Sequence, residues 1–214
     1  MNVLSDDADD RDMRRRQLAK RLVLLRARTQ TIYRFTGYTR DRLATLRKRL
    51  KIGSEGRHRG PSPTSFAIFF RPPLAREVGS AALLCELFGA LSPLPHRGIR
   101  DCLADLEWGE QLCEVYEAFS ACCPVSAFEF EHLVLLATGL SGRECIALSS
   151  CSVCSAAIVV DRLGARPRIC TCCQLRATER TERPGVVKPL RQDSGDGADE
   201  NGHKGVSLPD GNGP

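Results

Sequence analysis

The chain has 214 residues, of which 42% are apolar, 27% charged and 6% aromatic, with a formal net charge of +5. This length suits one domain, or one domain with a small appendage. No apolar run is long enough to span a membrane, so that class is excluded from the outset.

The charge is unevenly placed. Residues 11–60 carry seventeen Lys/Arg against Asp12, Asp41 and Glu55, a local balance of +14, and residues 1–10 carry four Asp. The remainder, 61–214, carries fourteen basic and nineteen acidic residues, a balance of −5. A concentrated basic segment on a neutral-to-acidic body is the electrostatic footprint of a nucleic-acid binder. The start, "MNVLSDDADDRDMRRR", has no apolar stretch, so no secretory signal is expected. The expected location is the cytoplasm, where thiols stay reduced and disulfides are rare.

Taken in order, residues 1–12 are expected to be a disordered acidic start. Across "MRRRQLAKRLVLLRARTQTIYRF" (13–35), Leu18, Leu22, Leu25, Thr29, Ile32 and Phe35 recur at spacings of three and four, which predicts one amphipathic helix. Gly37 suits the residue after a helix C-terminus, and a second helix is expected from Thr39 as N-cap, with Leu43, Leu46 and Leu50 on its apolar face.

Residues 28–50 therefore have the pattern of a helix–turn–helix. In such a unit the second helix enters the major groove. That places Thr39, Arg40 and Arg42 toward base edges, and Arg47, Lys48, Arg49 and Lys51 toward phosphates. Two amphipathic helices with solvated basic faces would give a similar pattern, but a +14 segment repels itself unless an anion compensates.

"GSEGRHRGPSPTS" reads as a basic loop, and 73–148 as helical. "REVGSAALLCELFGAL" forms one helix. "HRGIRDCLADLEWGEQLCEVYEAFSACC" forms one long helix, or two broken near Gly109, stopped by Pro124. "SAFEFEHLVLLATGL" forms another, with Ser126 and Glu129 as a capping box, and His132 on it is expected to be a surface or partner-facing residue. "ECIALSSC" and "AAIVV" read as short strands. From 177 onward the composition is Gly- and Pro-rich, and 177–214 is expected to be a disordered tail.

Five of the eleven cysteines fall between Cys151 and Cys173. The spacing Cys151-x2-Cys154, fifteen residues, Cys170-x2-Cys173 fits a four-thiolate zinc site. Four soft thiolates leave no open position, so the expected role is one structural Zn(2+) ion per chain. The matched x2 spacing leaves Cys172 as a spectator. An iron–sulfur cluster and a metal-free thiol-redox cluster use similar residues and stay as alternatives. No nucleophile, base and oxyanion site assembles from the remaining residues, so no enzyme is expected.

The order of features resembles one family. "GYTRDRLATLRKRL", the loop "GRHRGPSP", "LLCELF", and "LSSCSVC" followed by C-x2-C are similar to the FlhC family of flagellar transcriptional activator subunits, over about residues 15–180. The resemblance implies that Cys151, Cys154, Cys170 and Cys173 hold a structural zinc near the DNA-binding part. It also implies a hetero-oligomer with an FlhD-like subunit that binds promoter double-stranded DNA and recruits RNA polymerase to flagellar operons. The chain departs from the family in lacking a Trp-containing aromatic run after the loop, in Cys172, and in its Gly-rich tail. An activator of mobile-element transfer genes, and a zinc-ribbon interaction or RNA-binding module, are the alternative functions.

The expected fold is thus mainly α, with a helix-turn-helix-like basic segment and a small C-terminal zinc ribbon built on four cysteines. Residues 13–148 form the helical DNA- and partner-binding region, and 149–176 the zinc module.

Overall fold

The computed structural model describes residues 3–53, 61–91, 102–142, 145–164 and 168–181. Within them lie seven α-helices and one antiparallel two-stranded sheet, so the protein is mainly α. In chain order the elements are α1 (Val3–Leu24), α2 (Thr29–Thr36), α3 (Arg40–Arg49), α4 (Val78–Leu87), α5 (Cys102–Cys122), α6 (Phe130–Gly142), β1 (Ile146–Ser150), β2 (Ala157–Asp161) and α7 (Thr171–Thr181). Two short 3-10 turns, Phe66–Phe70 and Leu74–Arg76, precede α4. Among the described residues no helix is long and apolar enough to cross a membrane.

The helix expected over 13–35 is two helices, and the first starts at Val3, inside the segment expected to be disordered. The break is a Schellman stop: Ala27 N–H bonds to Leu22 O at 2.9 Å and Arg26 N–H to Val23 O at 3.2 Å. Arg26 occupies the left-handed position at φ 59°, where glycine is customary. An arginine there carries no stop signal, and the apolar spacing runs on unbroken through the turn. Buried Ala27 and Leu22 supply the apolar contact that fixes it.

The same motif ends α3, with Ile52 N–H on Arg47 O and Lys51 N–H on Lys48 O, both at 3.1 Å, and Lys51 at φ 55°. Gly37, at φ 70°, closes α2 as expected, its N–H bonding to Tyr33 O at 2.8 Å.

Leu18 and Leu22 of α1, Ile32 and Phe35 of α2, Leu43 of α3 and Leu112 of α5 meet in one core, all at 2% exposure or less. Gly109 sits mid-helix against Leu18 and Phe35, so α5 is continuous. Two ion pairs clamp α1 to α5: Arg14 with Glu110 at 2.6 Å, and Arg21 with Glu117 at 2.8 Å. The Trp108 indole N–H donates to Ala90 O, and its ring meets Phe35 edge-on at 5.5 Å.

The helix expected from Ser126 starts at Phe130. Ser126 instead donates to Glu77 and accepts from Phe128 N–H. His132 is half-buried and accepts from Glu129 N–H at 2.9 Å, so it caps α6 from within. Glu131, 4% exposed, caps α2 from across the core: one oxygen accepts from Arg28 N–H at 2.8 Å and the other from the Thr31 hydroxyl at 2.7 Å. A buried carboxylate is tolerated when several donors satisfy it, and here they tie α6 to the start of the basic helical pair.

The expected strands form one hairpin, in register from Ile146↔Asp161 to Ser150↔Ala157. The expected boundary at 148/149 falls inside β1. The hairpin also packs on the helical body: Ile146 and Val159 are buried, and α4 lies along β2. At Gly79 the α4 backbone comes so close that an added Cβ would overlap the Ala157 carbonyl. Only glycine permits that approach.

Candidate metal centre and basic helical face

The hairpin sets the first thiol pair. Beyond Ser150 the chain turns through Cys151–Ser155, with Cys151 N–H on Ala156 O at 2.8 Å and Ser155 N–H on Cys151 O at 2.9 Å. Ser155, left-handed at φ 60°, completes the knuckle. Ser152 N–H reaches Arg168 O at 2.8 Å, which pins the returning segment beside it.

The second pair opens α7, a helix where a ribbon and tail were expected. Cys170 precedes the first helical residue, and its Sγ accepts from Cys173 N–H at 3.4 Å, the bond of an N-cap. Residues three apart on a helix share a face, which puts Cys173 beside Cys170. Cys172 lies about 100° further round and is exposed. The Thr171 hydroxyl ties the helix to Ala75 O at 3.2 Å. Of the tail expected from 177, residues 177–181 continue α7, and 182–214 lie outside the described residues.

The four sulfurs of Cys151, Cys154, Cys170 and Cys173 all lie within 4.8 Å of one another and can hold one metal ion. Cys154 and Cys170 Sγ are 3.6 Å apart. A tetrahedron with metal–sulfur bonds of about 2.3 Å has edges of about 3.8 Å, so the spacing suits a single ion of that size. A cluster of several irons, each bound by its own sulfurs, would hold them farther apart. Backbone donors also face the sulfurs, since Cys151 Sγ accepts from Cys170 N–H at 3.3 Å and Val153 N–H at 3.4 Å. Those donors lower the Cys151 thiol to about 6. Cys173 is pushed up to about 12 by hydrogen bonds shared with Cys170 and Cys154. Without a cation the cluster keeps protons, and a divalent ion would displace them.

Thr39, Arg40, Arg42, Lys48, Arg49 and Lys51 are all exposed on and around α3. Arg47 is not one of them. It is 8% exposed, and its guanidinium donates to the Thr29 hydroxyl at 3.2 Å, so it braces α3 against the start of α2. Its place one helical turn from Leu43 puts it on the packed side. Among the described residues, Arg40, Arg42, Lys48, Arg49 and Lys51 join no ion pair, whereas Arg14 and Arg21 of α1 are matched to α5. Tyr38, which the sequence pattern did not single out, stands beneath Arg42 with 5.7 Å from the guanidinium carbon to the ring centroid.

No protein-family model matches the chain, and no curated protein matches it. Fold and site together define a mainly α-helical protein with a cluster of four cysteines that could hold one metal ion.

Proposed function

We propose that the protein is a DNA-binding transcriptional activator, with one structural Zn(2+) at Cys151, Cys154, Cys170 and Cys173 and α3 as its DNA-contacting helix. The observation that carries this reading is the contrast between helices. The α1 arginines Arg14 and Arg21 are spent on internal carboxylates, while α3 and its C-terminal turn hold five cationic side chains toward solvent. An uncompensated basic face on a rigid helix attracts a polyanion, and phosphate contacts bring steep salt dependence.

Thr39, Arg40 and Arg42, at the start of α3, are the candidates for base readout after the turn at Gly37. Lys48, Arg49 and Lys51, at its end, are the phosphate contacts. The zinc is structural: four protein thiolates close its coordination, so it folds the hairpin onto α7 rather than activating water.

The resemblance to the FlhC family extends the proposal. The protein would act in the cytoplasm beside an FlhD-like subunit and recruit RNA polymerase, to flagellar operons or, in a divergent member, to mobile-element transfer genes. The test is copurification with candidate FlhD-like subunits, followed by binding to a flagellar promoter duplex, a scrambled duplex and an RNA hairpin. Preference for the promoter duplex is expected. Equal binding to all three, or preference for the hairpin, sinks the activator reading.

A further inference from the structure

A cavity of about 580 Å³ lies between the helical body, the hairpin and the start of α7. Phe69 and Phe119 give it buried aromatic walls, and Leu84 of α4, Ile158 of β2 and Ile169, just before α7, stand half-buried around it. Cys154 and Cys170 of the thiol cluster also border it. Sites for small molecules measure about 300–1,000 Å³ and combine mainly apolar walls with a few placed polar groups.

Among the described residues, the one charged side chain on these walls is Arg76, at the end of the turn Leu74–Arg76, and no Asp or Glu borders the cavity. Arg76 is exposed and joins no ion pair or side-chain hydrogen bond among the described residues. Its neighbour in the chain, Glu77, accepts from the Ser126 hydroxyl instead. A lone cation at the edge of an apolar cavity suits a ligand with an anionic head and an apolar body, since the guanidinium pairs the head while the walls take the rest out of water. A ligand with a cationic head, or with a second charge along its body, would leave that charge unpaired.

We propose that this cavity binds a single-chain amphiphile with one anionic head, of the size of a medium-chain fatty acid. The chain lies against Phe69, Phe119 and Ile169, and the head sits on Arg76. Because the walls come from three parts of the fold, the ligand joins the hairpin and α7 to the helical body and stabilises the folded chain. This site is separate from the DNA reading, since no residue of α3 borders the cavity.

The test titrates the full chain, purified with its metal, with decanoate, decyl phosphate, decanol and decyltrimethylammonium, all below their micelle-forming concentrations. Isothermal titration calorimetry reads affinity and stoichiometry, and thermal unfolding reads stabilisation. One decanoate per chain is expected, with decanol about tenfold weaker for want of a charge-assisted bond and decyltrimethylammonium weaker still. The ratio of decanoate to decyl phosphate affinity tells a carboxylate head from a phosphate one. Arg76→Gln should bring decanoate down to the affinity of decanol and leave decanol unchanged. Arg71→Gln, also exposed but off the cavity wall, should change neither. Ser80→Trp, at an exposed α4 position on that wall, should fill the space and block every ligand.

Equal affinity for decanoate, decanol and decyltrimethylammonium overturns the proposal, as does unchanged decanoate affinity in Arg76→Gln or the uptake of many decanoates per chain. The head-group series on the wild type decides the matter even where Ser80→Trp does not fold. Absence of decanoate binding also overturns it. If Ser80→Trp then breaks a dimer seen by light scattering, the cavity belongs to a second copy of the chain.

Discussion

Replacing Gly79 by Ala tests whether the metal centre depends on how the hairpin seats on the helical body. In an exposed helix Gly→Ala is favourable, by up to about 1 kcal/mol. Here the new Cβ would overlap the Ala157 carbonyl oxygen and lie 2.9 Å from its carbon. Those are backbone atoms of β2 and cannot rotate away, so α4 and the hairpin must separate. Overpacking of this kind costs about 1–3 kcal/mol. With part of that offset by helix propensity, a net loss of about 1–2 kcal/mol is expected. For a chain of this size that lowers the melting temperature by about 2–8 °C.

Because the first thiol pair rides on the hairpin, zinc affinity should fall together with stability. Calorimetry reads the loss of stability, and competition with a chromophoric chelator reads the loss of affinity. A melting temperature equal to or above that of the wild type would refute the close approach. A lower melting temperature with unchanged zinc affinity would refute the dependence of the site on hairpin seating.

Serine at Cys151, Cys154, Cys170 or Cys173 should each release the metal and expose the hairpin amides to hydrogen exchange, while Cys172→Ser stays silent in both assays. Zinc affinity should fall as pH is lowered, because the ion competes with protons for the thiols. The fall should steepen below about pH 6, where Cys151 takes up its own proton, and a pH titration with the same chelator reads it. Arg47→Gln should cost about 1–3 kcal/mol of stability by denaturant unfolding, because it removes a buried guanidinium and its part-buried hydrogen bond to Thr29. Lys48→Gln and Arg49→Gln, on the exposed face, should stay within about 0.5 kcal/mol. Arg26→Gly should stabilise the protein by about 0.5–1 kcal/mol, read by the same unfolding, since it removes a side chain from a left-handed backbone position.

Much of the local structure was legible in the residues because it depends on neighbours in the chain. The spacing of Leu18, Leu22, Ile32 and Phe35 marked the buried face of α1 and α2, and Gly37 marked the turn, since periodicity and left-handed φ are local properties. The paired C-x2-C spacing picked out the four sulfurs that meet, since the reach of a knuckle is set by two intervening residues.

Other features were decided only when distant segments met. Arg26 and Lys51 end helices in glycine's place because apolar contacts of Ala27 and Ile52 hold the turns, and composition does not record that. Arg47 looks like its basic neighbours in sequence, but it faces α2 and is buried. Cys172 stands apart because α7 begins at Thr171, so the helix turns it about 100° away from its neighbour Cys173 and out of the cluster. Glu131 and Gly79 owe their roles to partners far along the chain, Arg28 and Ala157. By itself the sequence determined which residue types gather and at what spacing. The tertiary structure decided which cations face solvent and which are used inside, because burial and pairing depend on elements that meet only after folding.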